Sequence, residues 1–375
     1  MEINLNHIRE QFPVTKTCAY LNHAAASPLS LRATDAIREL MDDQLCHGYC
    51  NGDRWKEHYS QVRGMGAQLL HTRPERIAFI KSTSEGLGFA ANGVNWHEGD
   101  NVVLPANEFP TNYNPWLNLS VRGVSLQTVP PRPDRTIPVE DIRQCIDSHT
   151  HVVAISFVQY YSGFRADLAA IGQLCRERDL LFVVDGIQGV GALDLDAEAC
   201  GADIIAADGH KFLLAPFSVG LMYVSPRALE HLSVSVVGWL SVNDPFNFRP
   251  VLDLLPDARR FEPGTENNLG IYGLGGALEL FLETGMANVE GRIHSLTGLL
   301  NEGLLRKGYR VLSPREKSFQ SAILVFNHPT QRNEAIKQRF DAENIIVSIR
   351  GGGIRVSPHF YNSEEEIEHL LSTLV

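Results

Sequence analysis

An aspartate at the end of one apolar run and a lysine just past another are the two residues here whose types and placing suit covalent chemistry. The run LFVVDGIQG sets Asp185 where a buried strand would end, with Gln188 three residues on, and ADIIAADGHKF sets Lys211 beside Asp208, Gly209 and His210. Open α/β sheets bind ligands at the carboxyl ends of their strands. Both side chains are therefore expected at one ligand site. A carboxylate there is partly desolvated and wants a cationic partner; its plainer role is a helix cap or a loop charge. A lysine just beyond a buried strand is poorly explained as a solvated surface charge, and a lysine of lowered pKa is the usual residue to condense with a carbonyl group.

One cofactor needs both groups. Pyridoxal 5'-phosphate carries an aldehyde that bonds a lysine and a ring nitrogen that a carboxylate keeps protonated, so that the ring can accept electrons from a breaking bond at the substrate Cα. Its phosphate requires a separate cradle. Lys81-Ser82-Thr83-Ser84-Glu85-Gly86 follows an apolar run and opens a helical pattern, offering hydroxyls and free N–H groups at a helix N-terminus. Ser82 with Glu85 also reads as an ordinary capping box.

The elements that must position these residues read as α/β. From about residue 76 to 225, short β-branched and apolar runs alternate with stretches of helical period, the signature of a mainly parallel sheet. Seven strands are expected: 76–80, 102–105, 124–129, 152–157, 181–185, 203–207 and 220–224. Helices are expected at 139–148 and 168–178. The stretch 243–263 bears Pro and Asp and reads as a long connection, a type of loop that is commonly functional. Beyond it, 270–282 and 288–306 look helical, strands are expected at 321–326 and 354–357, and Ser363 with Glu366 opens a closing helix. The expected division is an N-terminal segment (1–20), a large cofactor-binding domain (21–285) and a small C-terminal α+β domain (286–375).

Composition excludes other classes. The 33 Lys and Arg residues against 44 Asp and Glu leave a net charge of −11, which gives no electrostatic reason to bind nucleic acid or anionic lipid. No stretch has the length of uncharged apolar residues that a membrane span requires, and the N-terminus lacks a signal-peptide pattern, so a cytoplasmic location is expected. Six scattered cysteines suit reduced thiols. Cys46, His47 and Cys50 do not complete a four-ligand metal site, and no metal is expected.

Taken together and in order, YLNHAAASPLS (20–30), STSEG (82–86), NEFPTN (107–112), QYYSG (159–163), VDGIQ (184–188), ADGHKF (207–212), VGW (237–239), FEPGTENN (261–268) and IRVSPHFYNS (354–363) resemble the class V aminotransferases. These are fold-type I pyridoxal-phosphate enzymes, a family that includes cysteine desulfurases, kynureninases and isopenicillin N epimerase-like proteins. The resemblance implies Lys211 as the lysine that bonds the cofactor, Asp185 as the ring-nitrogen partner and Gln188 as the donor to the ring's phenolic oxygen. It implies Thr83, Ser84 and His210 as phosphate ligands, Phe109 as the stacked ring and Tyr160 at the ring edge. Trp239 and Thr265 match residues reaching the neighbouring subunit's phosphate, which implies a homodimer with shared sites. Arg355 matches the arginine that holds the substrate carboxylate, and Arg350 is the weaker candidate for substrate contact. Asn22 and His23 fall in a substrate-facing loop. Bland roles stand beside these: core packing for Phe109, an edge-strand charge for Arg355, a loop charge for Arg350, and caps or core contacts for Asn22 and His23.

Two departures bear on the reaction. Desulfurases of this family carry a nucleophilic cysteine before the carboxylate-binding arginine, whereas this chain reads SIRGGGIRVSP there and has no cysteine after Cys200; desulfuration of the persulfide type is therefore disfavoured at this stage. Asp208 replaces a serine of the desulfurases, and repulsion from a phosphate predicts that it points elsewhere. The expected activity acts on a small amino acid through an external aldimine: Cα deprotonation, then β-elimination of the C–S lyase kind. Transamination and epimerisation are the alternatives, and a non-catalytic binder is the rival from another class.

Overall fold

The computed structural model describes residues 4–248 and 250–375. Its main sheet has seven strands: β1 (Ile77–Ile80), β2 (Asn101–Pro105), β3 (Ser125–Val129), β4 (Thr150–Ser156), β5 (Leu181–Asp185), β6 (Ile204–Asp208) and β7 (Gly220–Val224). They lie in the order β1-β7-β6-β5-β4-β2-β3, and β7 alone runs antiparallel to its neighbours. β5 and β6 are buried along their whole length, which is why both read as continuous apolar runs and not as alternations. All the parallel strands end on one side of the sheet, and the loops that follow β1, β2, β4, β5 and β6 share that edge.

Helices cover the sheet. α1 (Leu31–His47) and α2 (Gly52–Leu69) pack against the long α5 (Asn268–Thr284). α3 (Thr83–Gly93) follows β1, and Ser82 caps it by accepting from the Glu85 N–H. α4 (Leu168–Glu177) is capped by Asp167. The helix expected over 139–148 stops at Cys145, because Thr150 Oγ1 accepts from the Asp147 N–H and turns the chain into β4.

The C-terminal region is built on α6 (Met286–Arg306) and a four-stranded antiparallel sheet of β8 (Arg310–Val311), β9 (Leu324–Asn327), β10 (Ser348–Arg350) and β11 (Gly353–Val356), in the order β10-β11-β9-β8. α7 (Glu364–Thr373) closes the chain, and Ser363 with Glu366 forms the expected reciprocal capping box. Ala19 and Leu21 join the apolar cluster of this region with Leu296, Leu324 and Ile367, so the N-terminal segment is tied to the end of the chain. Among the described residues no helix is long and apolar enough to cross a membrane.

Candidate active site

The carboxyl-end loops enclose a pocket of about 420 Å³ lined by Ala24, Ser82, Thr83, Ser84, Phe109, Thr111, Tyr160, Gln188, Asp208, His210, Lys211, Arg350 and Arg355. A larger cleft, about 590 Å³, lies under the 237–253 connection and contains none of these groups. Chemistry belongs to the smaller one, where a strand-end lysine and the expected anion-binding groups meet.

Asp185 ends β5, 2% exposed. Its Oδ1 accepts from the Ile187 N–H at 3.1 Å. Burial pushes its carboxyl up to about 6, against the pull of that N–H and of Lys211. Lys211, 8% exposed, is pushed down to about 8 by burial, with Asp185 holding it up and Arg355 pressing it further down. The two groups feel one another without forming an ion pair among the described residues. Lys211 Nζ lies 5.5 Å from the centre of the Phe109 ring, a cation–π distance. Phe109 itself is 41% exposed, with Tyr160 edge-on at 5.1 Å; it offers an open ring face and is not core packing.

The backbone beneath Lys211 is pinned. Ser27 Oγ donates to the Lys211 carbonyl at 2.5 Å, and the Ser27 N–H donates to the His210 carbonyl. At the other end of the pocket, Thr83 and Ser84 begin α3. Thr83 Oγ1 accepts from the Asp208 N–H, and the Ser84 and Thr111 hydroxyls lie 3.1 Å apart. His210 stacks on Phe217. Asp208, expected to point away, lines the pocket instead: its Oδ2 is 3.1 Å from His210 Nδ1, out of line for a hydrogen bond, and its Oδ1 is buried without a partner.

Gln188 donates through Nε2 to the Ala24 carbonyl at 3.0 Å, while its Oε1 is buried without a partner. One amide N–H is therefore left to donate. Arg355 on β11 is 3% exposed; Nη1 donates to the Tyr160 carbonyl at 3.0 Å and Nε to Ser348 Oγ at 3.3 Å. These bonds fix the guanidinium plane and leave three N–H groups to spare. Burial and Arg350 pull Arg355 down to about 10, with Tyr160 opposing. Arg350, exposed at the end of β10, lines the same pocket. Arg135 Nη1 donates to the Gly351 carbonyl at 2.9 Å and so holds the β10–β11 turn.

Some expected residues lie elsewhere. His23 is fully buried, with Nδ1 2.8 Å from the Ser357 carbonyl and Nε2 2.7 Å from Tyr361 Oη. A carbonyl only accepts, so Nδ1 carries the proton and Nε2 accepts from the tyrosine; both nitrogens are used and burial holds the ring down at about 4. His23 is thus a packed tie between chain ends and does not face the pocket. Asn22 bridges to Ser357 and also stands outside the lining. Trp239 borders the larger cleft and is 48% exposed, and Thr265 is exposed on the turn before α5; neither lines the pocket of its own chain. The sequence reading missed Glu108, Thr111, Arg135 and Ser27. NEFPTN contained Glu108 and Thr111, but nothing local marked their partners.

This donor set fits pyridoxal 5'-phosphate. The lining offers an aromatic ring, an amine, an amide with a donor to spare and hydroxyls at a helix N-terminus, and the buried Asp185 carboxylate ends the strand that leads into the lining residues Ile187 and Gln188. The buried, unpartnered Gln188 Oε1 and the spare guanidinium donors of Arg355 show a site with unused hydrogen-bonding capacity. Fold and site together define a pyridoxal-phosphate-dependent enzyme of fold type I.

The chain belongs to the class V aminotransferase family, whose profile matches residues 19–370. It is similar to a protein described as a probable cysteine desulfurase from Methanothermobacter thermautotrophicus, 26% identical over 389 residues covering 98% of this chain and 96% of that one. Among solved structures, its fold is similar to a complex of the cystine C–S lyase C-DES with its reaction product cysteine persulfide, with a TM-score of 0.90, 24% identity and coverage of 97% and 99%. An apo cysteine desulfurase from Thermococcus onnurineus superposes with a TM-score of 0.89 at 22% identity, covering 99% and 97%. These likenesses correct one expectation. With a desulfurase-described relative matching almost the whole chain, the missing cysteine of the SIRGGG turn does not disfavour persulfide-type desulfuration.

Proposed function

We propose that this enzyme cleaves the C–S bond of a cysteine-type amino acid by β-elimination, and that its preferred substrate carries a second anionic end. The observation that carries this reading is the pair of arginines at one pocket: Arg355, buried and oriented with donors to spare, and Arg350, exposed and with no ion pair among the described residues. Arg355 takes the α-carboxylate as a two-donor fork. Arg350 then meets the far end of a longer substrate, as a disulfide- or thioether-linked amino acid has. The similar fold of a cystine C–S lyase supports this.

When bound, pyridoxal phosphate supplies the electron sink for the bond broken at the substrate Cα. Asp185, buried at the end of β5, would be the carboxylate that keeps the ring nitrogen protonated. Lys211 Nζ, as a free amine, would take the Cα proton, and the sulfur would leave Cβ with the C–S bonding electrons. With water as co-reactant the products are the thiol or persulfide, pyruvate and ammonia. Phe109 would pack on the ring face, and Thr83, Ser84 and His210 would hold the phosphate. Trp239 and Thr265, exposed in the single chain, suit contact with a second copy's phosphate in a homodimer.

Desulfuration is the second reading, favoured by the curated relative, and the products separate the two. Incubation with cystine and with cysteine should give pyruvate and ammonia without any added keto acid. Alanine in place of pyruvate identifies desulfuration. Pyruvate formed only when an acceptor keto acid is added identifies transamination, and inverted Cα with sulfur retained identifies epimerisation; each overturns the lyase assignment.

A further inference from the structure

Phe109 presents a problem that its packing does not solve. Its ring is 41% exposed, with Tyr160 edge-on and Lys211 Nζ 5.5 Å from its centre, yet a ring that stacks on a cofactor must keep its height and tilt. Its backbone neighbour supplies the hold. Glu108 is 6% exposed, and its Oε1 accepts from the Ser156 N–H and from Gln159 Nε2, each at 2.7 Å. Its Oε2 accepts from Ser156 Oγ at 2.5 Å. Ser156 ends β4 and stands opposite Asp185 in the parallel β4–β5 register. Gln159 precedes Tyr160, whose carbonyl orients Arg355. One carboxylate thus ties together the loop of the stacking ring, the strand beside Asp185 and the segment that sets the substrate clamp.

We propose that Glu108 is a positioning residue, fixing the Phe109 ring over the cofactor plane and in register with the Asp185 and Arg355 ends of the pocket. It touches neither cofactor nor substrate and acts through Phe109. A side chain needed only to fill space would not be a carboxylate here, because burial and the nearby Asp185 push Glu108 up to about 7 despite its three donors, and keeping charge in such a place is costly. Three hydrogen bonds from one short segment to a single carboxyl give geometric precision that packing of an open ring cannot. The inference rests on the cofactor and not on the reaction class, so it stands or falls independently of the lyase assignment.

The test is a double-mutant cycle read on cofactor affinity. Glu108→Gln keeps the shape but removes the charge; its dissociation constant for pyridoxal phosphate should rise about tenfold in the wild-type background, and by less than about twofold in the Phe109→Ala background. The visible circular dichroism of the bound cofactor, which reports its asymmetric surroundings, should fall in Glu108→Gln holoenzyme while the far-ultraviolet spectrum is unchanged. Equal losses of affinity in both backgrounds, or an unchanged dissociation constant in the first, overturn the proposal. Should Glu108→Gln fail to fold, Ser156→Ala removes one donor from the same carboxylate and runs the same cycle with the same criteria.

Discussion

Arg355 offers the most quantitative test of the substrate clamp. Two of its N–H groups are spent on Tyr160 O and Ser348 Oγ, and they set the direction of the three that remain. Two of those three match the spacing of a carboxylate. Hydrogen bonds to charged groups contribute about 1.5–3 kcal/mol each, so truncation to alanine removes about 3–6 kcal/mol of binding, or roughly 10²- to 10⁴-fold in affinity. Arg355→Lys keeps the charge but not the fork or the tether to Tyr160, and should lose roughly ten- to a hundredfold. Glycine is the proper probe, having no Cβ group to lose, and titration of the holoenzyme by its visible spectrum reads binding without turnover. Cofactor content should stay at wild-type level in both variants, since Arg355 sits at the substrate end. A glycine dissociation constant for Arg355→Ala within about threefold of wild type would refute the clamp.

The remaining predictions concern the lysine, the pocket mouth, its turn and the deep carboxylate. Lys211→Ala should abolish covalent attachment, and covalent capture of added cofactor by wild-type apo-protein should accelerate as pH rises through about 8, where the depressed amine loses its proton; borohydride trapping at graded pH checks both. Arg350→Ala should lose about tenfold in kcat/KM for substrates with a second anionic end and little for cysteine itself, as steady-state assays on paired substrates will show. Gly351 has φ +59°, and a Cβ there would lie 1.9 Å from the Tyr161 carbonyl. Gly351→Ala should cost roughly 2–5 kcal/mol, from the left-handed backbone and the overpacking together, read as a fall in Tm with weakened amino-acid binding. In apo-protein the raised Asp185 pKa contributes stability that is fully present below about pH 4 and lost as pH rises through about 6. Its two-unit displacement corresponds to about 3 kcal/mol, and Asp185→Asn should flatten that part of the Tm-against-pH curve.

How much of this was legible beforehand depends on the range of the interactions. β5 and β7 fall on the expected residues because a buried strand between turn signals is a local pattern, and the other strands of the seven-stranded sheet shift by one or two residues at their ends. The placing of Lys211 and Asp185 at one sheet edge followed from strand-end geometry, whereas Phe109 and the role of Gln188 came only from the family resemblance. α1 and α2 escaped the reading: α1 buries only Ala33 and Leu40, and leaves Met41 and Leu45 outward, so its apolar residues trace no clean stripe. His23 was misplaced because its partners Ser357 and Tyr361 lie more than 330 residues away. Glu108 was passed over for a like reason, its donors coming 48 and 51 residues later.

The charges of the pocket tie these points into one argument. Lys211 and Arg355 are both pulled towards neutrality by burial, while Asp185 and Glu108 are pushed towards their protonated forms. Burial thus works against the charged form of each of these four groups, and a fold whose only concern was stability would have replaced them with apolar residues. The strain has a direction. An anion beside Arg355 would raise its proton affinity again, and a cationic ring nitrogen beside Asp185 would lower that carboxyl towards its ordinary value, so on this assignment ligands should stabilise the protein by relieving desolvation as well as by new contacts. It follows that cofactor binding should raise Tm more at pH 8, where Asp185 is ionised and unpaired in the apo-protein, than at pH 5, where its proton already does part of the work. A cofactor-induced Tm shift of equal size at both values would show that the deep carboxylate is not the group the cofactor satisfies.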